Sequence, residues 1–158
     1  MKRSRTVEEL GIQLASKRET ELFKWFLVCL LFGKPIQQAI AERAYRAFEE
    51  AGLLSPNAIL RAGWDKLVRL LDEAHYVRYD FSTASKLLDV CRELQERYGS
   101  LTKLLVTAET PSALSARLQE FKHIGPVTAG VFVREVRPIW YPPGKSAKRK
   151  PSASSRNA

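Results

Sequence analysis

The sequence predicts an all-α fold, and three observations predict it. Apolar residues recur every three to four positions through most of the first 137 residues. Helix start and stop signals (Ser-Pro, Thr-Pro, and glycines after apolar runs) punctuate those stretches. No segment outside them sustains the period-2 alternation of a half-buried strand, so no sheet is expected. A chain of 158 residues with 45% apolar residues can bury a core without disulfide or metal staples, and 8 Gly and 8 Pro are too few for a disordered middle. The expected organisation is a basic arm over residues 1–5, a helical domain over 6–137 and a disordered basic tail over 138–158.

Thr6-Val-Glu-Glu9 has capping-box spacing and predicts a first helix carrying Leu10 and Leu14 on one face. A second helix is expected over Thr20–Phe32. It is apolar nearly all round (Leu22, Phe23, Trp25 to Val28, Leu30, Leu31), the pattern of a central, buried helix. Gly33 ends it. Pro35 is expected to open the next helix, with Ile36, Ile40, Ala44 and Phe48 inward and Gly52 as its stop. Ser55-Pro56 starts a short helix ending at Gly63, and another covers Trp64–Ala74. Asp80 is expected to cap a long helix that Gly99 closes, followed by a short turn over Leu101–Leu105. Thr110-Pro111 opens a helix reaching about Phe121. After the tight connection His123-Ile124-Gly125, Pro126 starts a last helix to about Val136, and Pro138, Pro142, Pro143 and Gly144 are expected to break it.

Charge is concentrated at the two ends. The net charge is +9, yet Lys2, Arg3, Arg5, Lys145, Lys148, Arg149, Lys150 and Arg156 supply nearly all of it. The remaining Lys and Arg almost balance the 17 Asp and Glu. Basic tails attract polyanions by counterion release, without base specificity. Cys29 and Cys91 lie in helical apolar patterns and read as buried, reduced thiols. Two Cys and two His cannot furnish the four ligands of a zinc or iron-sulfur site, so no cofactor is implied. The longest apolar stretch, Trp25–Phe32, is too short to span a bilayer, and Glu8 and Glu9 argue against a signal peptide. The expectation is a cytoplasmic protein, nucleoid-associated in a bacterium, with no membrane partner.

The segment Phe121-Lys-His-Ile-Gly125-Pro-Val-Thr-Ala129 carries the functional argument. It joins two helices by a sharp turn in which Gly125 is expected to take a backbone conformation that other residues resist. The N-terminus of the last helix presents unpaired amides and the positive end of a dipole, a ready site for a phosphate. Lys122, His123 and Thr128 flank it. Such contacts position DNA but read no sequence.

This segment resembles the hairpin of the endonuclease III-like, helix-hairpin-helix-GPD DNA glycosylases. The helices ahead of it, including the stretch Ser85-Lys86-Leu87-Leu88, resemble the family's order over about residues 20–137. The resemblance implies a six-helix bundle with a helix-hairpin-helix over 111–136, a place in base-excision DNA repair, and DNA contacts from Lys122, His123, Ile124, Gly125, Val127 and Thr128, with Lys145, Lys148, Arg149 and Lys150 adding unspecific affinity. Three positions depart from the family pattern: His123 replaces the first hairpin glycine, Val127 stands where bifunctional members carry the Schiff-base lysine, and Lys145 where the family carries an aspartate. The family's cysteine cluster and most of its second helical domain are missing.

The expected function is therefore non-specific binding of the DNA backbone without catalysis. A second reading is an active monofunctional glycosylase using Glu120 or Glu135 as its acid. A third is a protein-interaction module, its partner or a second copy covering apolar surface on the last helix (Val131, Phe132, Val133, Val136) beside Trp140 and Tyr141.

Overall fold

The structure, a computed structural model, describes residues 7–33 and 36–143. Among these residues it is all-helical and contains no strand. The helices are α1 (Glu19–Leu31), α2 (Gln38–Glu50), α3 (Pro56–Glu73), α4 (Asp80–Arg97), α5 (Leu101–Thr107), α6 (Pro111–Gln119) and α7 (Pro126–Trp140).

The apolar α1 is the centre of the core. Leu22, Phe23 and Trp25 to Leu31 are all buried, and α2, α5, α7 and the N-terminal segment pack around the helix. Its contact with α7 is specific. The Trp25 indole N–H donates to the Phe132 carbonyl at 3.4 Å, and the Phe26 and Phe132 rings meet edge to face at 5.6 Å. The end of α1 is closed by side chains from elsewhere. Lys86 Nζ donates to the Leu30 carbonyl at 2.8 Å and the Tyr76 hydroxyl donates to that of Leu31, which satisfies carbonyls a helix terminus would otherwise leave unpaired.

Gly63 divides α3. At φ 82°, ψ 166° it departs from helical geometry, so the two expected helices 56–62 and 64–74 adjoin across a kink. Ser55 and Thr110 cap α3 and α6 as the Ser-Pro and Thr-Pro pairs predict, each accepting from the amide three residues on. Cys29 and Cys91 are free and buried, and burial raises both thiols, that of Cys91 to about 12.

Five expectations are corrected. Val7–Gly11 forms turns, with one 3-10 turn at Leu14–Ser16, where a helix from Thr6 was expected; Gly11 (φ 79°) and Lys17 (φ 60°) take left-handed conformations that interrupt any helix, while Leu10 and Leu14 are buried nonetheless. The helix assigned to Pro35 starts at Gln38, because Gln37 is extended at ψ 140°; Pro35 itself lies outside the described residues. Tyr79, not Asp80, is the residue before α4, and the Asp80 carboxylate accepts from the Phe81 amide inside the first turn. The turn over Leu101–Leu105 is a helix, α5. The Glu19 carboxylate accepts from the amides of Leu101 and Thr102, and Ser100 Oγ from that of Lys103, so three orphan donors are satisfied at once. Lastly, α7 continues through Pro138 to Trp140. In its last turn the proline removes one hydrogen bond, and the chain beyond is held by the Tyr141 hydroxyl donating to the Ala108 carbonyl at 2.8 Å.

Candidate functional site

The unit α6–turn–α7 occupies residues 111–140. Leu114 and Leu118 seat α6 in the core, and Phe121 and Ile124 pin the turn from inside. Phe121 stacks on Tyr98 at 6.4 Å, and the Arg97 guanidinium lies over both rings. Amide bonds from Phe121 to Leu118 O and from Ile124 to Phe121 O tighten the backbone. With Phe121 and Ile124 anchored inward, Lys122 between them is exposed and His123 half-buried.

Gly125 precedes α7 at φ −98°, ψ −174°, which is ordinary extended backbone. The expectation that this position demands glycine for its dihedrals is therefore corrected. A Cβ there would meet no atom within 4 Å and would project into open space. Pro126 has no N–H, and no side chain caps α7, so the Val127 and Thr128 amides face outward at the positive end of a helix of 15 residues. Val127 is 78% exposed.

This end of α7 borders an open basin of about 320 Å³ lined by Gly33, Lys86, His123 and Gly125 to Thr128. Beside it lies an apolar cavity of about 130 Å³ walled by Trp25, Val28, Cys29, Phe32 and Val131. The end of α1 comes close here, and a Cβ on Gly33 would stand 3.2 Å from Thr128 Oγ1.

The charge around the turn is mixed. His123 Nε2 lies 2.9 Å from Asp89 Oδ2, and the Lys122 amide donates to Glu93 Oε1 at 3.4 Å. The hydrogen bond from His123 holds the Asp89 carboxyl below its usual range, with Lys122 and Arg92 adding to the effect against partial burial. Arg92 Nη1 is 3.4 Å from the same carboxylate.

Of the residues singled out from sequence, His123, Gly125, Val127 and Thr128 meet at the basin, Lys122 flanks it, and Ile124 is an internal anchor. Lys145, Lys148, Arg149 and Lys150 lie outside the described residues. The two carboxylates considered for catalysis do not reach the basin. Glu120 is paired with Arg97, which also holds Glu93. Glu135 is paired with Arg134 at 3.1 Å, about 13 Å along α7 from its start at 1.5 Å per residue. Of the apolar residues of α7 expected to need a partner, Phe132, Val133 and Val136 are buried within the chain, and Val131 is half-buried at the apolar cavity. Trp140 lies under the Lys17 ammonium, 5.6 Å from the ring centre.

Sequence reasoning gave no site role to Lys86 or Asp89. Their signal was a charged stripe, Lys86-Asp89-Arg92-Glu93, spaced three to four residues apart along one side of α4.

No protein-family description, curated protein or solved structure matches this chain.

Proposed function

We propose that this protein binds the backbone of duplex DNA through the α6–α7 hairpin, without base specificity and without catalysis, as a relative of the endonuclease III-like glycosylases. The observation that carries this reading is the uncapped start of α7 opening on a basin whose rim bears His123 and whose wall bears Lys86. A phosphate there would accept from the Val127 and Thr128 amides, and the missing Cβ of Gly125 leaves room for its approach. Such contacts fix a strand in place and leave its sequence unread.

The absence of catalysis in this reading rests on side chains. The basin has no carboxylate of its own to stabilise a sugar cation, because Asp89 is engaged by His123 and Glu120 and Glu135 are paired elsewhere. Val127 offers no nucleophile.

The test is duplex binding against salt, read by fluorescence anisotropy. Affinity should fall steeply with salt, and removing residues 145–156 should lower it further and flatten the slope. Val127→Glu, which sets a carboxylate at the mouth of the basin, should weaken binding about five- to tenfold with the melting temperature unchanged. Binding that ignores salt, or ignores Val127→Glu, removes the hairpin from the reading. Incubation with lesion-bearing duplexes should yield no cleaved base.

A further inference from the structure

The contact between His123 and Asp89 is the feature of this surface that a simple phosphate site does not require. A carboxylate beside such a site opposes its ligand, because it repels phosphate and occupies a ring nitrogen able to donate to it. The contact is built in all the same: Nε2 and Oδ2 are 2.9 Å apart, between the turn and the middle of α4. Both side chains are only partly covered, 29% and 39% exposed, so solvent reaches the pair and a ligand in the basin would too.

We propose that the Asp89–His123 pair is a proton-sensitive latch on the hairpin: with the imidazole neutral, the carboxylate, offset only by Arg92 on its far oxygen, keeps the phosphate site weak, and proton uptake by the imidazole offsets that charge on the basin side and strengthens the site. This rests on the DNA-backbone reading. Asp89 is here a positioning and tuning residue, acting through His123 rather than by touching DNA.

The remaining charges around the ring do not do this for it. On α4, Lys86 is engaged with the end of α1, Arg92 lies 3.4 Å from Asp89, and Glu93 accepts the Lys122 amide. In the turn, Lys122 is exposed and Glu120 is paired with Arg97. On α7 the first charged residue is Arg134, beyond the basin. Gly33, at the end of α1, brings none. Histidine is the side chain that ordinarily changes charge between about pH 5 and 8, which sets the range to be scanned.

Four proteins decide the matter, each measured for affinity to one labelled duplex at fixed low salt from about pH 5.5 to about pH 8.5. The native protein should bind several-fold more tightly at the acid end. Asp89→Asn should bind about three- to tenfold more tightly than the native protein at the alkaline end, a gain that loss of a merely structural contact would not produce. His123→Gln should bind with a flat pH profile, while His75→Gln, altering the other histidine, should keep the native one. If Asp89→Asn unfolds, as judged by thermal melting, Asp89→Ser takes its place.

A native profile that is flat, an Asp89→Asn protein no tighter than native, or a His123→Gln protein that retains the native profile overturns the latch while leaving DNA binding intact. If none of the proteins binds duplex at any pH, the DNA-backbone reading falls and the latch with it.

Discussion

The two ends of α7 face opposite demands. Toward its C-terminus, Phe132 and Val136 are sealed against α1, the Trp25 indole reaches the Phe132 carbonyl, and Tyr141 is tied to Ala108 on the far side of α5. Toward its N-terminus, no side chain caps the helix, Val127 stands in solvent, and two hollows adjoin. One end of a single helix thus carries packing and the other presents unused hydrogen-bonding capacity. If the division is real, substitutions at the closed end should change stability and spare binding, and those at the open end should do the reverse.

The largest effect belongs to Phe132→Ala. It removes a ring packed against Phe26 and should cost about 3–5 kcal/mol by thermal or denaturant unfolding, while DNA affinity of the folded protein stays within about twofold. Glu19→Ala comes next. It uncaps the α5 start that supports the closed end and should cost about 1–3 kcal/mol, since it leaves the Leu101 and Thr102 amides without their acceptor. Tyr141→Phe removes one hydrogen bond and should cost about 1 kcal/mol. At the open end, Val127→Ala should move stability by no more than about 0.5 kcal/mol, as an exposed position predicts. A loss above about 2 kcal/mol there would place Val127 in the core and erase the contrast.

The smallest effect concerns pH. The Asp89 carboxyl is held low in the folded protein, so its tie to His123 contributes stability that is present above the ordinary aspartate pKa and lost as pH falls through the lowered value. The melting temperature of Asp89→Asn should therefore show a shallower fall than that of the native protein in acid. Equal slopes would sever the pKa shift from the fold.

Much of the architecture was legible because it follows from short-range rules. The apolar run Trp25–Leu31 predicts a buried helix, and Ser55-Pro56 and Thr110-Pro111 predict helix starts that the structure caps with those same hydroxyls. What escaped is set by contacts distant in sequence. Over Leu101–Thr107 the local signals, Ser100 as a cap and Leu101, Leu104 and Leu105 at helical spacing, are short, and the carboxylate at position 19 that takes the first amides is invisible from them. Leu10 and Leu14 have helical spacing, but Gly11 and Lys17 turn the chain so that both residues reach the core by another path. Pro138 reads as a breaker, yet packing by Val136 and anchoring by Tyr141 carry the helix past it. At the candidate site, the positions on α6, the turn and α7 were visible as a motif. The contribution of α4 was not, because Lys86 enters the wall and Asp89 meets His123 only through tertiary packing.

The bond from Trp25 to Phe132 spans 107 residues, and this separation bears on the order of folding. During synthesis the most apolar helix emerges well before the helix that covers it. Closing so long a loop is entropically unfavourable until the intervening helices have formed. Until α7 leaves the ribosome, α1 presents an uncovered aromatic and aliphatic surface, and nascent chains arrested ahead of residue 132 should be bound by chaperones or aggregate.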